Sequence, residues 1–157
     1  MMERCVRRCG QPPERDPAMP EMKRREAREE VLGLLFETEF HAAKTPDEIL
    51  ELAMLDRDLL DPEYLRDVYF GVLREKAWID ERISRHSKGW SVGRIAPVSR
   101  NILRLAIYEM RFRDDVPERV AINEAIELAK KFDAERAPAF VNGVLNSVKD
   151  ELAQTGE

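Results

Sequence analysis

The sequence predicts an all-α protein. Of its 157 residues, 36% are charged and 43% are hydrophobic, while it contains only 7 glycines and 9 prolines. This charge-rich composition with few loop-forming residues is typical of helical proteins. Apolar residues recur at helical spacing along most of the chain, and no segment alternates with the two-residue period of a strand. We therefore expect helices throughout.

Composition also excludes several classes of protein. The net charge of −5 argues against general coating of nucleic acid, although a local basic patch remains compatible with it. No run of eighteen apolar residues is present, so no membrane span is expected. Both cysteines, Cys5 and Cys9, lie in the first ten residues, which favours a reducing compartment. With only His41 and His86 as further ligands, at no ligand-like spacing, we expect neither a metal site nor a cofactor.

Residues 1–21 are expected to form a disordered tail. This stretch contains four prolines and almost no apolar residues, so it cannot bury enough surface to become ordered. It lacks the apolar core of a signal peptide. Whether translation starts at Met1 or Met22 is left open by the sequence.

Three helices are predicted in the first half of the chain. Helical periodicity runs from residue 23 to about residue 41. Thr45 followed by Pro46, with acids in the first turn, predicts the start of the second helix. Asp61-Pro62 predicts the start of the third, whose apolar stripe continues to residues 84–87.

Three more helices are predicted in the second half. Residues 87–98 read as a connection with room for one helical turn. Ser99 then has the character of an N-cap for a long fourth helix. The turn at residues 114–117 precedes a fifth helix, whose apolar face extends to Phe132. Pro138 predicts the start of the sixth.

Charge is strongly segregated along the chain. Residues 46–63 contain seven acids and one base, whereas residues 82–104 contain six bases and no acid. Four bases, Lys23, Arg24, Arg25 and Arg28, crowd the predicted start of the first helix. Cations at that end oppose the helix dipole, and binding of phosphates there would explain them. The alternative from the residues alone is a solvated face in which nearby glutamates pair with these bases.

No catalytic motif accompanies these features. The sequence has no glycine-rich phosphate loop, no Walker motif and no His-Glu-x-x-His motif. Ser99 has neither a nucleophile-elbow motif around it nor a histidine after it. Phe36 and Tyr108 could stack on RNA bases, but aromatics at helical spacing are more typical of the core, where we expect both. The sequence therefore predicts a binding protein and not an enzyme.

Five sequence blocks carry a family resemblance. They are MKRREAREEVLGLLF at 22–36, ILRLAIYE at 102–109, DVP at 115–117, VAINEAIELAK at 120–130 and FVNGVL at 140–145. In this order and at this spacing, they closely resemble the NusB family of bacterial transcription antitermination factors.

The resemblance implies a compact bundle of about six to seven helices in two packed helical subdomains. The RNA-binding domain would cover residues 22–153, with a short tail at 154–157. It further implies binding of boxA-type single-stranded RNA together with the ribosomal protein NusE, within an RNA polymerase antitermination complex that supports ribosomal RNA transcription in the cytoplasm. Two alternatives remain: a helical protein–protein adaptor, and the RNA-binding accessory domain found in RNA cytosine methyltransferases.

The resemblance also implies site residues. The arginine-rich motif of the family falls on Lys23, Arg24, Arg25 and Arg28. The aromatic that ends this motif falls on Phe36, where several relatives have tyrosine. Arg136, where some relatives have an acid, would add affinity for phosphate.

Three further family positions are expected to be structural. Asn123 and Asn142 would satisfy buried polar groups of neighbouring helices, and Gly143 would permit close helix approach. The acidic stretch at 47–63 is compatible both with a basic partner protein and with a solvated face.

Overall fold

The computed structural model describes residues 19–59 and 61–156, with side chains described from residue 23 onward. This part of the chain forms seven α-helices and no strand, as the sequence predicts. They are α1 (Met19–Phe40), α2 (Pro46–Asp56), α3 (Pro62–Arg74), α4 (Lys76–His86), α5 (Pro97–Phe112), α6 (Glu118–Phe132) and α7 (Ala137–Thr155). A single 3-10 turn at Val92–Arg94 lies in the connection before α5, where one turn was expected.

The ends of the domain differ from the predicted boundaries. Helix α1 begins at Met19, inside the stretch that was expected to be a tail, and α7 continues to Thr155, beyond residue 153. The rest of the predicted N-terminal tail, including Cys5 and Cys9, lies outside the described residues.

The N-terminus of α2 confirms the helix start predicted at Thr45-Pro46. The Thr45 side chain accepts a hydrogen bond from the Glu48 backbone N–H at 3.2 Å, and the Glu48 carboxylate accepts one from the Thr45 backbone N–H at 3.4 Å. This reciprocal arrangement is a capping box. Pro46 occupies the first turn, where it has no hydrogen bond to lose.

The prediction for Ser99 is wrong. Helix α5 begins at Pro97 and its N-cap position is Ala96, so Ser99 lies inside the first turn. Its hydroxyl instead donates a hydrogen bond to the carboxylate of Asp133. This contact ties the start of α5 to the end of α6.

The predicted third helix is two helices. The chain leaves helical geometry at Glu75, whose ψ angle is 12°, and α4 begins at the next residue. Helix α3 packs on α1 and α5, whereas α4 packs on α5 and α7. The break therefore coincides with a change of packing partners from α1 to α7.

Helix α5 is the centre of the bundle. It contacts α1, α3, α4, α6 and α7, and most of its residues are buried. Tyr108 is 2% exposed, which confirms that it belongs to the core. Its ring lies over Gly71 of α3, where a Cβ atom would approach the ring to 2.2 Å. Helices α1 and α3 pack on α5 and on each other, with α2 packed on α1, while α4, α6 and α7 also pack on α5. The helices thus form two packed subdomains.

Over residues 19–59 and 61–156, no helix combines the length and the apolar character needed to cross a bilayer.

Candidate nucleic-acid interface

The basic segment of α1 does not lie at the helix terminus. Because α1 begins at Met19, Lys23 falls in the second turn and Arg28 in the third. The interpretation that these cations oppose the N-terminal dipole is therefore wrong, since dipole effects fade within the first turn. Carboxylates from other parts of the fold instead pair with the charges of the arginines. The environment of the side chain differs from one arginine to the next.

Arg28 is an internal residue. It is 4% exposed and donates from Nε and Nη2 to the Glu109 carboxylate of α5 at 2.9 Å. Glu109 is 1% exposed. Burial lowers the pKa of Arg28, but the hydrogen bonds and charge of Glu109 outweigh that effect and raise it. Arg28 is thus charged, paired and turned away from solvent.

Arg24 is half-buried between two carboxylates. Its Nε donates to Asp61 at 2.9 Å and its Nη1 donates to Asp115 at 3.3 Å. Its guanidinium carbon lies 4.3 Å from the centre of the Tyr64 ring. Hydrogen bonds from Arg113, together with Arg24, hold the pKa of Asp115 below its usual value. The side chain of Arg24 remains 24% exposed, so one edge still faces solvent.

Lys23 and Arg25 are the exposed members of the segment. The Arg25 side chain is 60% exposed and pairs with Glu124 of α6 at 3.0 Å. The Glu124 side chain is only 15% exposed, so the guanidinium of Arg25 is the part of this ion pair that faces solvent. Arg24, Arg25 and Arg28 line one wall of an open depression of about 580 Å³, whose other wall is formed by residues 115–117 and α6.

A second depression continues along α1 and α6. It shares Arg25 and Glu124 with the first and extends to Lys130 and Lys131. The Nζ atom of Lys131 is 2.7 Å from the Glu29 carboxylate and 5.3 Å from the centre of the Phe132 ring. The two depressions together form one face, which we call the α1–α6 face.

Two aromatic side chains are exposed that were expected in the core. Phe36 is 39% exposed, and its ring lies 4.7 Å from that of Phe40. Phe132 is 46% exposed although it continues the apolar pattern of α6. It is the last residue of α6, where neighbouring helices no longer cover that face. Both core assignments are therefore wrong.

Arg136 lies in the connection between α6 and α7. It is exposed and precedes α7. Together with Trp90, Arg94, Ser99 and Phe140 it lines a third depression of about 340 Å³. Ser99 donates a hydrogen bond to Asp133, the residue after Phe132, and this contact connects the depression to the end of α6. The sequence did not single out Trp90, which is 55% exposed. Its position in a connection that contains glycines was the one feature of the sequence that could have indicated an exposed tryptophan.

The structural roles expected for two asparagines and a glycine are wrong. Asn123 and Asn142 are exposed, so neither satisfies buried polar groups. Asn142 accepts a hydrogen bond from Asn146 of its own helix at 2.7 Å, and Asn123 lines the first depression. A Cβ atom built on Gly143 meets nothing within 4 Å, so close helix approach does not require this glycine.

The basic stretch at 82–104 is largely neutralised inside the fold. Arg100 and Arg104 both donate to Glu39 of α1, at 2.8 and 2.9 Å. Arg82 and Arg85 both pair with Glu151 of α7. The local excess of six bases therefore does not produce a basic surface of that size. Among the described side chains, no group of three acidic, histidine or cysteine residues is placed to hold a metal ion.

Comparisons with known proteins agree with this geometry. The model of the NusB family matches residues 25–150. The transcription antitermination protein NusB of Bacillus pumilus is 47% identical over 133 residues, which cover 85% of this chain and 99% of that protein. The crystal structure of T. maritima NusB superposes with a TM-score of 0.72 at 38% identity, covering 82% of this chain and 91% of the other.

A further solved structure contains bound partners. It is the crystal structure of antitermination factors NusB and NusE in complex with dsRNA, with a TM-score of 0.72 at 26% identity, covering 83% of this chain and 98% of the matched chain. The matches extend over nearly the whole described part of the chain. The chain belongs to the NusB family.

Proposed function

We propose that this protein is a transcription antitermination factor that binds boxA-type single-stranded RNA together with NusE, in the cytoplasm and as part of an RNA polymerase complex. The relatives are antitermination proteins, and one related structure contains NusE and RNA. A binding role fits the shallow, open depressions of the α1–α6 face.

The observation that carries the proposal is the position of the basic segment. Lys23, Arg24 and Arg25 reach solvent on the α1–α6 face, and Arg136 is exposed in the connection that follows α6. Phe36 of α1 and Phe132 at the end of α6 expose aromatic surface. Cations that neutralise phosphates and aromatics that stack on bases are the two elements that single-strand binding requires.

Arg28 has a different role in this proposal. Its guanidinium is buried and hydrogen-bonded to Glu109, so it stabilises, from inside the fold, the part of α1 whose exposed residues contact RNA. The proposed RNA contacts are therefore Lys23, Arg24, Arg25, Phe36 and Arg136, with Phe132 added by its exposure.

The length of the face fits an extended ligand. Helix α6 has 15 residues, and at 1.5 Å per residue this corresponds to roughly 22 Å. A strand that follows α6 would meet the basic end of α1 first, then Lys130 and Lys131, and finally the depression beside Arg136.

Binding assays with defined RNAs test this function. Fluorescence anisotropy would compare a boxA-like single strand, a scrambled strand of equal length, and a duplex of the same sequence, each with and without NusE. We expect the boxA-like strand with NusE to bind most tightly. Equal affinity for the scrambled strand under all conditions would contradict sequence-specific recognition. Preference for the duplex would contradict single-strand binding.

One observation favours an additional protein-binding role for α2. Leu52, Met54 and Leu55 of this helix are 42 to 83% exposed, among the acids Glu48 and Glu51. Exposed apolar side chains within an acidic surface are suited to a basic protein segment. If the RNA assays gave no binding and NusE still bound, the adaptor alternative would replace RNA binding.

A further inference from the structure

Tyr64 lies at the centre of a cluster of arginines beneath the basic segment. It is fully buried near the start of α3. The guanidinium carbons of Arg24, Arg113 and Arg28 lie 4.3, 5.2 and 5.9 Å from the centre of its ring. Cations at these distances are attracted to the electron-rich face of an aromatic ring. The cations come from α1 and from the end of α5, so two distant parts of the chain converge on one side chain.

The hydroxyl group of Tyr64 takes no part in the arginine contacts. Among the described residues it is a buried polar atom that makes no hydrogen bond of good geometry, and burial, followed by the charge of the nearby Glu109 carboxylate, raises its pKa. The ring makes the contacts with the three guanidinium groups.

Arg24 is oriented from three directions. The Tyr64 ring lies against its guanidinium, Asp61 accepts from Nε, and Asp115 accepts from Nη1. Asp115 is itself held by Arg113, which donates to it at 2.7 and 2.9 Å. Neither hydrogen bond of Arg24 uses Nη2, so both N–H groups of this nitrogen are left for a ligand.

We infer that Tyr64 is a positioning residue of the RNA site, whose ring holds the Arg24 guanidinium so that its remaining edge faces an RNA phosphate. This inference rests on the proposed function. An arginine side chain loses much rotamer freedom when it is fixed in one geometry. The fold bears that cost before RNA arrives, which makes binding tighter than for an unsupported arginine.

Two substitutions of Tyr64 separate the ring from the rest of the side chain. Tyr64→Phe keeps the ring and removes only the hydroxyl, so we expect RNA affinity within twofold of the wild type. Tyr64→Leu keeps an apolar side chain without the ring and changes no charge. We expect it to weaken RNA binding about tenfold, and Arg24→Ala to weaken binding no further in the Tyr64→Leu background. Circular dichroism and thermal unfolding verify that each variant is folded.

NMR of the wild-type chain provides a readout that a purely structural role would not alter. The Arg24 Nε–H resonance, assigned by its loss in Arg24→Lys, should be shifted upfield by the Tyr64 ring. We expect that shift to persist in the RNA complex, because the guanidinium binds RNA without leaving the ring. If Tyr64→Leu does not fold, this measurement on the wild type and Tyr64→Phe decides the question.

Two results would overturn the inference while leaving the proposed function intact. One is a folded Tyr64→Leu protein with wild-type RNA affinity. The other is loss of the upfield shift when RNA binds, which would mean that Arg24 leaves Tyr64 to reach the phosphate. Absence of RNA binding by the wild type would instead refute the proposed function, and this inference with it.

Discussion

Arg28 and Glu109 form a two-point ion pair inside the protein, with Nε and Nη2 each 2.9 Å from a carboxylate oxygen. The two residues are 81 positions apart in the sequence and are 4% and 1% exposed. Helix α1 is therefore fixed to the central helix α5 directly beneath the basic segment that we propose to contact RNA.

Removing one partner of this pair should be strongly destabilising. Arg28→Met leaves the Glu109 carboxylate buried without its counter-charge, which costs about 3–5 kcal/mol. The double variant Arg28→Met, Glu109→Leu should recover most of that loss, because both charges are then gone. Urea unfolding of the two variants measures this. A single Arg28→Met variant as stable as the wild type would show that the pair is not formed in solution.

Phe132 should contribute to RNA affinity and not to stability. Base stacking on an exposed aromatic is worth about 1–3 kcal/mol, so Phe132→Ala should weaken RNA binding at least fivefold. Because the side chain is 46% exposed, the midpoint of thermal unfolding should change little. Phe132→Tyr is the matched control, since it keeps the ring and should bind normally. Equal binding by the alanine variant would remove Phe132 from the interface.

Arg136 should contribute one phosphate contact. For single strands, each neutralised phosphate changes the slope of log K against log salt by about −0.7. Arg136→Ala should therefore make that slope less negative by about 0.7 and should not change thermal stability, because its side chain is exposed. Titrations at four salt concentrations would measure the slope. An unchanged slope would place Arg136 outside the phosphate path.

Glu39 should make the fold sensitive to acid. Burial raises the pKa of its carboxyl, but Arg100 and Arg104 outweigh that effect and lower it below the usual value. A carboxyl with a depressed folded-state pKa stabilises at neutral pH, and this stability is lost as the pH falls below about 5 toward the folded pKa. Glu39→Gln should lower the free energy of unfolding by about 2 kcal/mol at pH 7. On acidification, the stability of this variant should fall by less than that of the wild type. Urea unfolding of both proteins at pH 7 and pH 3.5 tests this; parallel losses would contradict it.

Local signals in the sequence were sufficient for the elements that depend on neighbouring residues. The starts of α2 at Thr45-Pro46 and of α3 at Asp61-Pro62 are set within one turn of helix, whereas the prediction for α5 placed its cap at Ser99 instead of Ala96. The apolar face of α6 was also readable, because its period matches the helix up to Leu128 and Ala129. These features determine where helices begin and which face is buried.

Long-range contacts account for what the sequence did not reveal. Nothing near Arg28 indicates that a carboxylate 81 residues away will enclose it, so four adjacent bases looked equivalent. Phe132 follows the core pattern but lies at a helix end that no other helix covers. The break at Glu75 has the same cause, since it depends on which helices α3 and α4 pack against.

The salt dependence of RNA binding in a charge variant tests the central claim most directly. If Lys23, Arg24, Arg25 and Arg136 each neutralise one phosphate, the wild type should show a slope near −2.8 for a boxA-like single strand, from about −0.7 per phosphate. The Lys23→Ala, Arg25→Ala double variant should show a slope near −1.4, while Lys44→Ala, at an exposed position beyond α1, should match the wild type. A double variant with the wild-type slope, or a wild-type slope near zero, would contradict the assignment of RNA binding to the exposed bases of α1.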